Sequence, residues 1–252
     1  MGKGWAKGLT AATDPRIARM AASRRGRKRG PYRLRPRPPL AWSPEIAYAV
    51  GLIATDGNLS PSGRHVSVSS GEREVLETLL RCVDRRAKIG HVKGGFGTHG
   101  LRVQIGDVRL YRWLQSIGLT PRKSLTLGSI DVPDDHLPHL LRGLVDGDGS
   151  IIDCTYEGTG KASGRRYRTL LVRFNTASLE HAQWVRDKIE ALYGLSGGLW
   201  CEDGMYQLTY AKRASRQLLP LLYPGPDVPC LQRKREVWRD FEREGGRPVA
   251  LN

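Results

Sequence analysis

The sequence predicts an α+β fold: two pseudo-symmetric αββαββα repeats forming a saddle of antiparallel sheets, with helices on the back and two motif helices packed at the centre. Two observations lead there. Residues 49–57 and 141–149 are near-copies, each an apolar helical run ending in Asp-Gly, and their acids Asp56 and Asp148 lie 92 positions apart. A fixed-period echo implies two copies of one structural unit. The segments that follow each run also repeat the same order of helical and alternating patterns, and Val66–Ser70 aligns with Val172–Thr176 without a gap.

The elements follow in order. Residues 32–44 are a Pro-rich linker, and Ser43-Pro44-Glu45 supplies a capping residue and a first-turn proline for the first motif helix. Short strands fit residues 58–60 and 65–69, split by a turn at Pro61-Ser62-Gly63. A helix is expected over 72–84, strands over 88–93 and 101–105, and a helix over 107–117. The second repeat opens with a motif helix over 137–147 and strands over 150–156 and 167–175. Helix 179–193, strands 199–202 and 206–210, and helices 213–222 and 231–243 complete it. The expected units are a basic arm (1–40), a first repeat (41–130) and a second repeat (131–252).

Ala47, Gly51 and Ala54 fall on one helical stripe, as do Gly143 and Gly147. A helical Gly costs about 1 kcal/mol relative to Ala, and close approach of two crossing helices is the compensating reason. Gly57 and Gly149 are expected at the left-handed position that stops a helix. A helix C-terminus carries about half a negative charge, so two carboxylates meeting at two such ends would repel unless a cation lay between them. Asp56 and Asp148 therefore read as a metal site. Competing readings are a hairpin turn at each Asp-Gly, packing helices with idle acids, and a calcium loop on Asp146, Asp148, Ser150 and Glu157. That loop would need glycine at its sixth position and has Ile151.

The two segments resemble the LAGLIDADG motif of homing endonucleases, in the single-chain form with two copies. The match rests on Gly51, Asp56 and Gly57, and on Gly143, Asp146, Asp148 and Gly149. Ala54 departs from it, since Asp is usual there. The resemblance implies that Asp56 and Asp148 are catalytic and bind metal, with Gly57 and Gly149 beside them, and that two or three Mg²⁺ or Mn²⁺ ions sit at the motif interface. It also implies a Lys near each acid: Lys123 after the first repeat and Lys234 after the second. The same Lys and Arg residues could instead touch backbone phosphates. The implied activity is site-specific cleavage of double-stranded DNA by a monomer. Alternatives on the same scaffold are a maturase that binds group I intron RNA and a DNA-binding regulator without catalysis.

Strand alternation selects one sheet face for base contacts: His65, Ser67, Ser69, Lys93, Arg102 and Gln104 in the first repeat, and Tyr167, Thr169, Arg173, Asn175, Gln207 and Thr209 in the second. These side chains carry the donors and acceptors that read base edges, where a merely solvated face would carry more Glu and Lys.

The net charge is +16, and residues 1–40 hold +11 of it, with twelve Lys/Arg against Asp14. A basic arm on a nearly balanced body suits phosphate attraction, and Arg24, Arg25, Arg27, Lys28 and Arg29 are its densest run. Organelle transit peptides are also Arg-rich, but Pro36, Pro38 and Pro39 argue against a continuous amphipathic helix. No run approaches 18 apolar residues, so no membrane partner is expected. Cys82, Cys154, Cys201 and Cys230 are scattered, without zinc-ligand spacing or a disulfide framework, which fits a reducing intracellular setting.

Overall fold

A computed structural model describes residues 8–24, 40–93, 99–159 and 163–244, and the chain divides into two compact units, 1–39 and 40–252. In the first unit, helix α1 (Pro15–Arg24) is introduced by Asp14, whose carboxylate accepts from the Arg16 backbone N–H at 2.7 Å. Arg25, Arg27, Lys28 and Arg29 lie outside the described residues, as does the side chain of Arg24.

The second unit begins with the first motif helix, α2 (Pro44–Asp56), where Ser43 accepts from the Ile46 N–H at 3.2 Å and Pro44 takes the first turn. It continues through β1 (Gly57–Leu59), β2 (Val66–Ser70), α3 (Arg73–Cys82), β3 (Gly90–Lys93), β4 (His99–Ile105) and α4 (Val108–Ser116). Two 3-10 turns, Lys123–Leu125 and Asp134–His136, precede the second motif helix, α5 (Leu137–Asp146). Then follow β5 (Ser150–Glu157), β6 (Arg166–Thr176), α6 (Leu179–Tyr193), β7 (Gly198–Glu202), β8 (Met205–Tyr210), α7 (Lys212–Leu222) and α8 (Gln232–Arg243). Two four-stranded antiparallel sheets result, ordered β1-β2-β4-β3 and β5-β6-β8-β7. The repeat is visible in that matched order. No described helix is long and apolar enough to cross a membrane.

The motif helices form the centre of the core. Tyr48, Leu52 and Ile53 on α2 and Leu140, Leu141 and Val145 on α5 are fully buried. Ala47, one turn before Gly51, is also fully buried. A Cβ on Gly51 would lie 2.3 Å from the Leu140 carbonyl oxygen, and one on Gly143 would lie 2.3 Å from that of Tyr48. Backbone therefore touches backbone, as the small-residue stripe requires. Gly147 instead faces a side chain: its Cβ would collide with Thr55 Oγ1.

One expectation fails. Gly57 is extended, at φ −89° and ψ 152°, and Gly149 is not among the glycines with positive φ. Their role is steric: a Cβ on Gly57 would meet the Ile53 carbonyl oxygen, and one on Gly149 the Arg173 carbonyl oxygen at 2.6 Å. Helix α2 runs straight into the edge strand of its sheet and α5 reaches its own after three residues, and neither tight exit leaves room for a side chain.

The two repeats are laced together. The Ser178 hydroxyl donates to the Leu127 carbonyl, His181 Nδ1 bonds the Gly128 carbonyl at 2.8 Å, and Arg233 pairs with Glu72 at 2.7 Å.

Candidate active site at the paired helix ends

Asp56 is the last residue of α2, and Asp148 lies two residues beyond the end of α5. Each is followed within two residues by the first strand of a sheet, so both sheets start at the acids. Burial is the main reason both carboxyl groups titrate above the usual range, and for Asp56 the neighbouring Asp148 adds to it. Asp56 is pushed up to about 6, and Lys234 and Lys123 pull it the other way. Lys123 is brought down to about 8, chiefly by burial, with Asp148 and Asp56 opposing the fall. The four groups thus form one electrostatic cluster.

The two lysines share the job of closing a motif helix, but unequally. Lys123 Nζ donates to the Thr55 carbonyl at 3.3 Å. Lys234 Nζ donates to four carbonyls, those of Val145 (2.7 Å), Asp146 (2.9 Å), Gly147 (3.0 Å) and Gly149 (2.8 Å). Thr55 and Gly147 occupy equivalent motif positions, so each lysine neutralises the negative end of its own repeat's helix. The three donors of Lys234 are fully committed. Its hold on the Gly149 carbonyl also competes with any cation there.

Asp146 is the residue that sequence reasoning undervalued. It is buried and accepts from Tyr223 Oη (2.7 Å), Tyr48 Oη (3.0 Å) and the Leu231 N–H (2.7 Å). It ties α2 to α5 and fixes the start of α8, from which Lys234 reaches back. In the first repeat Ala54 stands in its place, and Lys123 sits on a 3-10 turn where Lys234 sits on a full helix. The departure from the family motif thus coincides with the weaker lysine anchor. His181 was also missed. It is buried, and it lines a small cavity together with Asp148, Ala54, Thr55, Phe174 and Asn175. Burial lowers its pKa to about 4, and its Nε2 has no partner among the described residues. A helical His carries no sequence signal for this.

The predicted base-contacting residues divide into several groups. In the first sheet Ser67 pairs with Gln104 and Ser69 with Arg102, and Arg102 Nε donates to Ser69 Oγ at 2.9 Å. His65 immediately precedes β2 and is half-buried. Lys93 ends β3, and its side chain lies outside the described structure. In the second sheet Tyr156 pairs with Tyr167, Cys154 with Thr169, Arg173 with Thr209 and Asn175 with Gln207. Thr209 is 8% exposed and accepts from Arg173 Nε at 3.2 Å, so it positions Arg173 and does not present its own hydroxyl to a groove. Asn175 Nδ2 donates to the Asp148 carbonyl at 2.7 Å, and Gln207 Nε2 to Glu202 Oε2 at 3.2 Å.

For a divalent cation, the donors present are two carboxylates. No cluster of three or more His, Cys, Asp or Glu suited to a metal occurs among the described residues. That set fits Mg²⁺ or Mn²⁺, which are held by one or two carboxylates with water and substrate phosphate completing the shell. It does not fit a dedicated calcium or zinc cage.

No sequence-family profile matches the chain, and no curated protein matches it by sequence. Solved structures do. The LAGLIDADG meganuclease I-AabMI bound to uncleaved DNA is 15% identical, with 81% of this chain and 90% of that chain covered and a TM-score of 0.55. Meganuclease I-SmaMI bound to uncleavable DNA is 14% identical, covering 81% and 89%, with a TM-score of 0.54. Full-length DUF199/WhiA from Thermatoga maritima is 13% identical over 84% of this chain, with a TM-score of 0.50, and this chain covers 64% of its length. The chain has the fold of the LAGLIDADG homing endonucleases, with both copies of the motif helix in one polypeptide.

Proposed function

We propose that the protein is a site-specific endonuclease for double-stranded DNA that hydrolyses one phosphodiester bond in each strand. The observation that carries this reading is the meeting of two buried-edge carboxylates, Asp56 and Asp148, where both sheets begin, with Lys123 and Lys234 beside them. The DNA-bound meganucleases that share the fold support it.

Asp56 and Asp148 would hold Mg²⁺ or Mn²⁺, which when bound supplies charge stabilisation at phosphate and an acidified water. Lys123 has donors beyond its one carbonyl bond and would meet the charge that develops on the phosphate oxygens. Lys234 sets the exit of α5 and so the position of Asp148. Arg102, Arg173 and Gln104 are offered to base edges, and the basic arm adds sequence-independent phosphate attraction.

The test is incubation of the full chain with a randomised duplex library and Mg²⁺ or Mn²⁺, followed by sequencing of the cut ends. Site-specific double-strand breaks that vanish in Asp148→Asn and in EDTA are expected. Sequence-specific binding without cutting under either ion would leave a DNA-binding regulator, and binding of intron RNA without DNA cutting would leave a maturase.

A further inference from the structure

The two sheets present unlike surfaces on the side away from the core. Register gives the first as Asn58, Ser67, Ser69, Arg102 and Gln104, with Val92 at its outer edge. On the second, the residues sharing a side with Arg173 include Ile152, Leu171, Tyr156, Tyr167, Trp200 and Met205. Tyr156, Trp200, Tyr167 and Met205 are exposed (54%, 42%, 38% and 38%), while Ile151, Leu170, Val172, Phe174 and Leu208 face the core. Helices α6, α7 and α8 pack on that core side. A group of six large apolar side chains on an otherwise open sheet face marks a recognition surface.

We infer that the two half-sites of the target are read by different chemistry: the first sheet by hydrogen bonds, the second by apolar contact with the 5-methyl groups of thymine. This rests on the endonuclease reading above. Of the four bases, thymine alone presents a methyl group in the major groove. The spacing suits it, because side chains on one strand face recur about every 6.8 Å, two base steps of about 3.4 Å each. β5 runs outward from Asp148, so the stacked Tyr156–Tyr167 pair, with centroids 5.7 Å apart, sits six residues beyond Ser150. That is about 20 Å along the strand, or roughly six base pairs.

The occupant is nucleic acid and not a second copy of the chain. Arg173 stands within this surface with its guanidinium 6.0 Å from the Trp200 ring, and a two-fold contact through the face would bring like charges together. Glu202 is the acidic residue at its outer end, and Gln207 already bonds it.

The test uses the full chain and a selected target in EDTA, where no strand is cut. Replacing thymine by deoxyuridine removes only the methyl group. In the second half-site each contacted position should weaken binding roughly fourfold, and the first half-site should be indifferent. Tyr167→Ala with Trp200→Ala, both on exposed positions, should lower the uracil sensitivity of the second half-site while keeping first-half specificity. Specific binding with equal or no uracil sensitivity in the two halves would overturn the inference and leave the endonuclease reading standing. Concentration-dependent dimers that these substitutions abolish would assign the surface to a second copy. Absence of any sequence-specific DNA binding would overturn both readings together.

Discussion

Asp56 shows how a site can work against its own fold. Its carboxyl titrates at about 6 in the folded chain against 3.8 as a free side chain. The folded state binds its proton more tightly than the unfolded state, so the ionised group lowers stability above pH 6, and that cost fades as pH falls from 6 toward 4. The shift corresponds to at most about 3 kcal/mol, and partial exposure brings it to roughly 1–2 kcal/mol. Asp56→Asn should therefore raise the melting temperature in EDTA at pH 8 and have little effect near pH 4. Mg²⁺ should stabilise the wild type more than the variant, which keeps only Asp148. A variant that is less stable at pH 8 would contradict the burial and repulsion assigned to this group. The lysines divide differently. Lys234→Met strips four carbonyls of their donor and should cost about 2–4 kcal/mol in urea denaturation. Lys123→Met should cost under about 1 kcal/mol while cutting falls roughly a hundredfold.

At the scale of elements, the crossing of α2 and α5 is the most exacting contact. Gly51→Ala or Gly143→Ala drives a methyl group into a carbonyl on the facing helix and should cost about 3 kcal/mol or more. Gly71→Ala, with nothing within 4 Å of its Cβ, should change stability by under about 0.5 kcal/mol in the same assay. The sequence was a good guide here because periodicity is local: the expected 179–193 helix is α6 as observed, and β5 and β8 differ from expectation by one residue each. The glycine stripe also foretold the crossing. What it could not display is who meets whom across the chain. Asp146 reads as a helix-end acid, and only the fold brings Tyr223, 77 positions away, and the start of α8 to it. Gly57 and Gly149 failed for the same reason, since the atoms that exclude a side chain there are set by the exit into a strand and, for Gly149, by the neighbouring strand β6.

For the molecule as a whole, charge placement is the governing fact. Residues 1–40 carry +11 of the +16, and residues 1–39 form one of the two units into which the chain divides. A chain lacking residues 1–39 should keep its cutting position but bind DNA with a shallower dependence on salt, since each lost phosphate contact lowers the log–log slope by about 0.9. Binding measured between 50 and 200 mM salt checks this, and an unchanged slope would show that the arm does not touch phosphate. I-AabMI and I-SmaMI have the same fold at 15% and 14% identity.

The seam joining the repeats has a practical corollary. Tyr48 is satisfied by Asp146, the 127–128 segment is held by α6, and α8 leans on Glu72. Neither half owns all the partners of its buried polar groups, so a fragment severed near residue 130 would expose stranded donors and acceptors on its cut surface. Grafting one half onto a foreign mate, the obvious route to a hybrid with a rewritten target, would have to transplant that shared polar stitching along with the helix.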